Sequence, residues 1–165
     1  MYNYFRSLLL AVVLLNSPAE AAQRIAVLAF ELNDITSLPN TLAEQQRTAT
    51  MAPILIETLA RSGDYQLQAV DADLQKSANG GFGYLFQNPE YAADLGRELG
   101  ADLIIVSQHS KPSFLFSYLW VYLVDVKTET TLARYDIELK GNHEKVTRYA
   151  MASLAKKIEA TLQRR

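Results

Sequence analysis

The side chains equipped for chemistry are few: two histidines, no cysteine, and carboxylates scattered without metal-ligand spacing. Without a thiol there is no cysteine nucleophile, no disulfide and no lipidation on sulfur. Two histidines make a poor metal inventory, and neither a metal nor another cofactor is implied. His143 opens the last helical segment and reads as a surface residue. His109 has the more suggestive setting, since Lys111 follows two residues on, Pro112 stiffens the chain, and Asn33-Asp34 ends an earlier apolar segment. If both segments are adjacent parallel strands, their carboxyl ends coincide, and ligands bind at such edges in open α/β sheets. Asn33, Asp34, Arg47, His109 and Lys111 are therefore the candidate binding residues. Ser107, Ser110 and Ser113 near His109 raise a serine hydrolase with Asp34 as the orienting acid, but no Gly-x-Ser-x-Gly elbow accompanies them. The plainer reading is favoured: Asn-Asp is an ordinary turn signal, and His-Ser-Lys-Pro an exposed bend. No catalytic residue is assigned, and the chain is not read as an enzyme.

Gly80-Gly-Phe-Gly83 has glycines enough to cradle a phosphate, but it neither follows directly on a strand nor ends in Gly-Lys-Ser/Thr. A flexible loop is the expected outcome. The aromatic ladder Phe114, Phe116, Tyr118, Trp120 and Tyr122 departs most from a generic surface. Either the terminal helix covers it in a three-layer sandwich, or it is an open sheet face on which Tyr118, Trp120 and Tyr122 anchor a protein contact.

The elements that must position these groups follow from hydrophobic periodicity. Arg24 to Leu32 is almost continuously apolar and predicts a first, central strand covered on both faces. A helix to about Ser62 follows, capped at Asn40 or Thr41 and interrupted at Pro53. Tyr65 to Val70 alternates as a second strand, and Asp71 to Lys76 suits a short helix. Asn88-Pro89 opens a helix that Gly100 ends, and Ala101 to Ser107 is a buried strand. Ser113 to Val126 and Thr131 to Leu139 form an antiparallel hairpin, and the chain closes with a helix bearing Val146, Ala150, Leu154, Ile158 and Leu162. The order β-α-β-α-β-β-β-α predicts an α/β (α+β) single-domain sandwich, a mixed sheet of about five strands with helices packed on it.

The apolar run Leu8 to Leu15 follows Arg6 and precedes small residues ending at Ala21-Ala22, which reads as a cleavable signal peptide over residues 1–22. Residues 23–165 would then be the working domain, with no stable membrane anchor left after cleavage. The periplasm of a Gram-negative bacterium is the expected location, with secretion as the alternative. The leader holds one Arg and one Glu, so the formal net charge of -2 is the same with or without it. A weakly acidic chain without a basic run excludes nucleic acid as a partner.

Three stretches carry a family resemblance: Arg24 to Thr36, Gly83 to Phe86 leading into Ala92 to Asp102, and His109 to Tyr118. Together they resemble the uncharacterised bacterial secreted-protein family known as domain of unknown function 2380. Ala29 stands where that resemblance leads one to expect Asp. More remotely, the first strand and the Gly-Ala-Asp-Leu-Ile-Ile-Val segment are similar to the TolB N-terminal domain and the curli-secretion lipoprotein family. That resemblance implies binding within envelope assemblies, through an envelope protein partner or self-association. The alternative is a small-ligand receptor or hydrolase in a pocket between Asn33-Asp34 and His109-Lys111.

Overall fold

The apolar run beginning at Arg24 is broken by one extra residue. In the computed structural model, which describes residues 22–62, 65–141 and 144–164, it forms β1 (Gln23–Val27) and β2 (Glu31–Asp34), both parallel to β4 (Leu103–Lys111). Val27 lies opposite Ile105 and Glu31 opposite Gln108, so the first chain takes one more step than its partner. That count defines a β-bulge. Leu28 and Phe30 enter the cores on opposite faces of the sheet, and the exposed Ala29 between them is the added residue.

A bulge leaves backbone groups without a ladder partner, and here a side chain replaces the missing strand. The Ala29 N–H donates to Gln75 Oε1 at 2.8 Å, and its carbonyl accepts from Gln75 Nε2 at 3.1 Å. Gln75 is held in place by α3 (Ala72–Ala78), whose N-cap Asp71 accepts from the amides of Asp73 and Leu74. Gln75→Ala is expected to lower stability by about 1–3 kcal/mol, since both Ala29 groups lose their partner. Urea denaturation checks this, and an unchanged midpoint would mean that water satisfies the bulge equally well.

The main path of the sheet is β3-β1-β4-β5-β6, with β2 continuing the line of β1 beside β4. β3 (Tyr65–Ala69) is parallel to β1, while β5 (Phe116–Asp125) and β6 (Thr130–Lys140) form an antiparallel meander with β4. Six strands appear where about five were expected because the bulge divides the first one. One face carries α1 (Leu42–Ala49), α2 (Met51–Ala60) and α6 (Glu144–Leu162), which bury Met51, Leu55, Met151, Leu154 and Ile158 against Ile25, Ile105, Leu119 and Leu123. The other face carries α3, α4 (Tyr84–Gln87) and α5 (Pro89–Glu98), which bury Leu85, Phe86, Ala92 and Leu95 against Ala26, Ile104 and Val124. The chain is the expected mixed α/β sandwich.

Pro53 leaves its mark one turn upstream. A proline ring clashes with the carbonyl four residues back, here Ala49, the last residue of α1. The helix therefore divides at Thr50 and Pro53 falls in the first turn of α2, where its missing N–H costs least. Thr41 is the cap of α1, accepting from the Glu44 amide.

One expectation is corrected, and one of the two readings of the aromatic ladder is set aside. β4 does not stop at Ser107 but continues to Lys111, so His109-Ser-Lys is buried strand and not an exposed bend. α6 covers the face of β5 bearing Leu119, Val121 and Leu123, opposite to the face of the aromatic ladder. The leader segment up to residue 21, and His143, lie outside the described residues.

Candidate functional site

The sequence candidates do come together. β2 and β4 run parallel with Asn33 opposite Ser110 and Asp34 opposite Lys111, so both carboxyl ends meet. On the face under α1, alternation along β4 presents His109 and Lys111, and β5 adds Ser117. α1 contributes Glu44, Arg47 and Thr48, one turn apart, and α6 contributes Thr147.

These groups are consumed by one another. Lys111 Nζ lies 3.3 Å from Glu44 Oε1, and Arg47 Nη1 3.5 Å from Glu44 Oε2. Arg47 Nε donates to Thr147 Oγ1 at 2.9 Å, and its Nη2 donates to the Gly141 carbonyl at 3.2 Å. Lys111 also faces the Phe114 ring, with Nζ 5.6 Å from the centroid. Glu44 and Lys111 are both buried, so this is an ion-pair network inside the protein.

The histidine tautomer follows from hydrogen counting. Thr48 Oγ1 spends its one proton on the Glu44 carbonyl at 2.8 Å, so at 2.7 Å from His109 Nδ1 it must accept. Nδ1 therefore carries the ring proton, and Nε2 accepts from Ser117 Oγ at 2.9 Å. Burial, then the positive charges of Arg47 and Lys111, lower the His109 pKa to about 4 against an opposing pull from Asp34. The imidazole is neutral at physiological pH.

A serine on Nε2 with a hydroxyl behind Nδ1 has the connectivity of a nucleophile, base and orienter. The partners differ from those the sequence suggested. Ser117 takes the place of Ser107, Ser110 and Ser113, and Thr48 takes the place of Asp34. The Asp34 carboxylate is committed to the Thr36 hydroxyl at 2.7 Å and to the amides of Thr36 and Asn40. Burial pushes its pKa up, but these hydrogen bonds and Lys111 outweigh that and leave it below the usual carboxylate range. Both His109 and Ser117 are closed to solvent, so the chain of hydrogen bonds has no substrate path. Asn33 lies at the same strand end but on the opposite face of β2 from Asp34.

The accessible chemistry lies on the other face. Tyr122 stacks on Phe86 at 4.3 Å between centroids and receives the Arg134 guanidinium at 5.7 Å, so α4 and the edge strand cover it. Trp120 is half-buried against the same core. Tyr118 joins neither core, is half-buried, and meets the Phe116 ring edge-on at 5.8 Å. The aromatic ladder is thus covered at one end and open at the other.

At the open end the exposed apolar surface widens. Phe114 is 52%, Leu115 77% and Phe116 37% exposed, in the turn between β4 and β5 and the first residue of β5. Ile35, Leu38 and Leu42 are also exposed, and the Ile35 N–H donates to the Lys111 carbonyl at 3.1 Å, which sets that segment beside the turn. No charged residue occurs from Pro112 to Leu123.

Sequence reasoning missed Glu44, Thr48, Ser117 and Thr147. The spacing of Thr41 and Glu44 reads as a capping box, which hides the carboxylate's real partner 67 positions away at Lys111. The strand expected from Ser113 begins instead at Phe116, which leaves Leu115 in the exposed turn, and the signal for this lay in the turn residues Pro112-Ser113.

Over residues 23–158 the sequence matches the model of a family described as a protein of unknown function, DUF2380. No curated protein matches. Among solved structures, the PelC dodecamer from Paraburkholderia phytofirmans is similar with a TM-score of 0.55 at 15% identity, covering 88% of this chain and 91% of that one. Lipoprotein GNA1162 from Neisseria meningitidis gives 0.53 at 12% identity, covering 82% and 96%. TolB from Acinetobacter baumannii gives 0.53 at 17% identity, covering 86% of this chain but 28% of TolB. At such identities the likeness is one of fold.

Proposed function

The chain belongs to the DUF2380 family of proteins of unknown function, and from that premise we propose that it is an exported, non-catalytic accessory protein of the cell envelope that docks on another envelope protein. In this reading residues 1–22 are a cleaved signal peptide, residues 23–165 are the working domain in the periplasm, and no nucleic acid or cofactor is engaged.

The observation that carries the reading is the uncharged segment from Phe114 to Tyr118, in which Phe114, Leu115 and Phe116 are exposed and Tyr118 is half-buried. Tyr and Phe dominate protein contacts because each ring removes a large apolar area from water for little side-chain entropy. Ile35, Leu38, Leu42, Phe114, Leu115 and Phe116 are all exposed, more large apolar side chains than a generic surface of two adjoining segments needs. Trp120 serves at the margin, and Tyr122 supports the face from below through Phe86. Further support comes from the fold shared with a lipoprotein and with a protein that forms a dodecamer. A second copy of this chain is therefore the alternative occupant of the same face.

A photo-reactive phenylalanine analogue introduced at Tyr118, with the exposed Lys156 on α6 as the control position, tests this in the native periplasm. One reproducible adduct from position 118, absent from 156 and abolished by Leu115→Asp, is the expected result. No adduct at 118 from a protein that sediments as a monomer would overturn it.

Ligand binding or hydrolysis at Asp34, Arg47, His109 and Lys111 is the second reading. In its favour stands the chain Ser117–His109–Thr48. Against it stands the burial of every member, since a substrate would have to displace the Glu44 ion pairs to enter.

A further inference from the structure

Beyond the bulge the sheet has a vacant position. β3 pairs with β1 only as far as Ala69 opposite Val27, and after the Val70 N–H donates to the Val27 carbonyl the chain leaves into α3. β2 continues past that point with β4 on one side and, among the described residues, no strand on the other. The Ile35 N–H points to β4, so alternation turns Leu32 and Asp34 backbone groups to the open side. Gln75 already shows what that side accepts, because its amide sits at Ala29 as a peptide group of a neighbouring strand would.

Beside this edge lies an open groove of about 570 Å³, lined by Ala29, Glu31, Ala72, Gln75, Lys76 and Phe82 among others. Its glycine loop is pinned, not loose: the Glu31 carboxylate accepts from Asn79 Nδ2 at 2.5 Å and from the Gly83 amide at 2.9 Å. Those bonds occupy the Glu31 oxygens with neutral amide donors. Lys76 is the basic side chain of the wall and is exposed, and Phe82 stands exposed at the lip.

We propose that the open edge of β2 and this groove bind an extended peptide, which pairs its backbone with Leu32 and Asp34, seats an apolar side chain on Ala29, Ala72 and Phe82, and sets an acidic side chain against Lys76. The edge dictates an extended backbone, the groove takes alternate side chains, and the charge of Lys76 selects the acid. This surface is distinct from the Phe114–Tyr118 face, so the two stand or fall separately.

The test is selection of random heptapeptides displayed on phage against the whole protein, followed by hydrogen exchange with the enriched peptides bound. Peptides that alternate in polarity and carry an acidic residue are expected, with slowed exchange at the Leu32 and Asp34 amides. Lys76→Glu, a change at an exposed position, should weaken them by about tenfold or more. No enrichment would overturn the proposal. So would peptides that bind Lys76→Glu equally well, or that protect Phe114 to Tyr118 instead.

Discussion

Replacing Glu44 by Ala is expected to destabilise the protein by about 3–5 kcal/mol, the cost of leaving buried charge without its partner. Glu44 is the carboxylate that two buried cations share, Lys111 on Oε1 and Arg47 on Oε2. Lys111 and Glu44 are each about 5% exposed, so water cannot replace the lost charge. Arg47 keeps Thr147 and the Gly141 carbonyl, whereas Lys111 keeps, among the described residues, the Phe114 ring and the charge of Asp34. For a domain whose whole stability is on the order of 5–15 kcal/mol, this is a large share. The melting temperature should fall by roughly 10–20 °C. The mechanism is checked by the double variant: Lys111→Met in the Glu44→Ala background removes the stranded ammonium and should recover a good part of the loss. A Glu44→Ala protein that melts within a degree or two of the parent would mean that the network opens to solvent, and would reinstate a ligand at this strand end.

Acidification should weaken the fold through His109 in a window of its own. The imidazole titrates near 6.5 when unfolded and at about 4 when folded, because burial and the charges of Arg47 and Lys111 oppose its protonation. Between those values the unfolded chain binds the extra proton, so stability falls as pH falls, by about 3 kcal/mol in all once pH 4 is passed. Above pH 6.5 this contribution is complete and stability is flat with respect to His109. Asp34 and Asp102 also carry lowered pKa values. Asp102 owes its shift first to the Arg24 side chain and then to the Arg24 amide. Their stabilisation, present above the unfolded value of 3.8, is lost only as pH falls below it. The interval from 6.5 to 4 therefore separates the histidine from the aspartates. Urea midpoints across that interval should slope for the parent and be nearly level for His109→Gln. A parent whose midpoint does not move between pH 7 and 4.5 would contradict the buried, neutral imidazole.

Much of the architecture is legible in the sequence. The 3.6-residue spacing of Ala150, Leu154 and Ile158 names α6, Asn88-Pro89 opens α5, and the unbroken apolar runs at Ile25 and Leu103 can only be strands covered on both faces. Less legible was where β4 ends. His-Ser-Lys-Pro is polar and turn-like by composition, and no local rule says that a lysine will be buried. It is buried because α1, distant in sequence, delivers Glu44 to it. The bulge was equally hidden, since Ala29 sits inside a smooth hydrophobic run and its compensating partner Gln75 lies 46 positions away.

Local periodicity set the elements, their order and the sandwich class, because burying an apolar stripe or face is an instruction carried by adjacent residues. It offered Asn33-Asp34, His109 and Lys111 as neighbours on the condition that their strands lie side by side. Whether that strand end was a pocket depended on long-range packing. Packing of α1 and α6 onto one face turned the candidate residues into a closed ion-pair network. The short α3–α5 layer on the other face covered Tyr122 and left Tyr118 half-buried and Phe116 exposed. Which side of a strand a helix covers depends on contacts between residues far apart in the chain, and that information is absent from any local pattern.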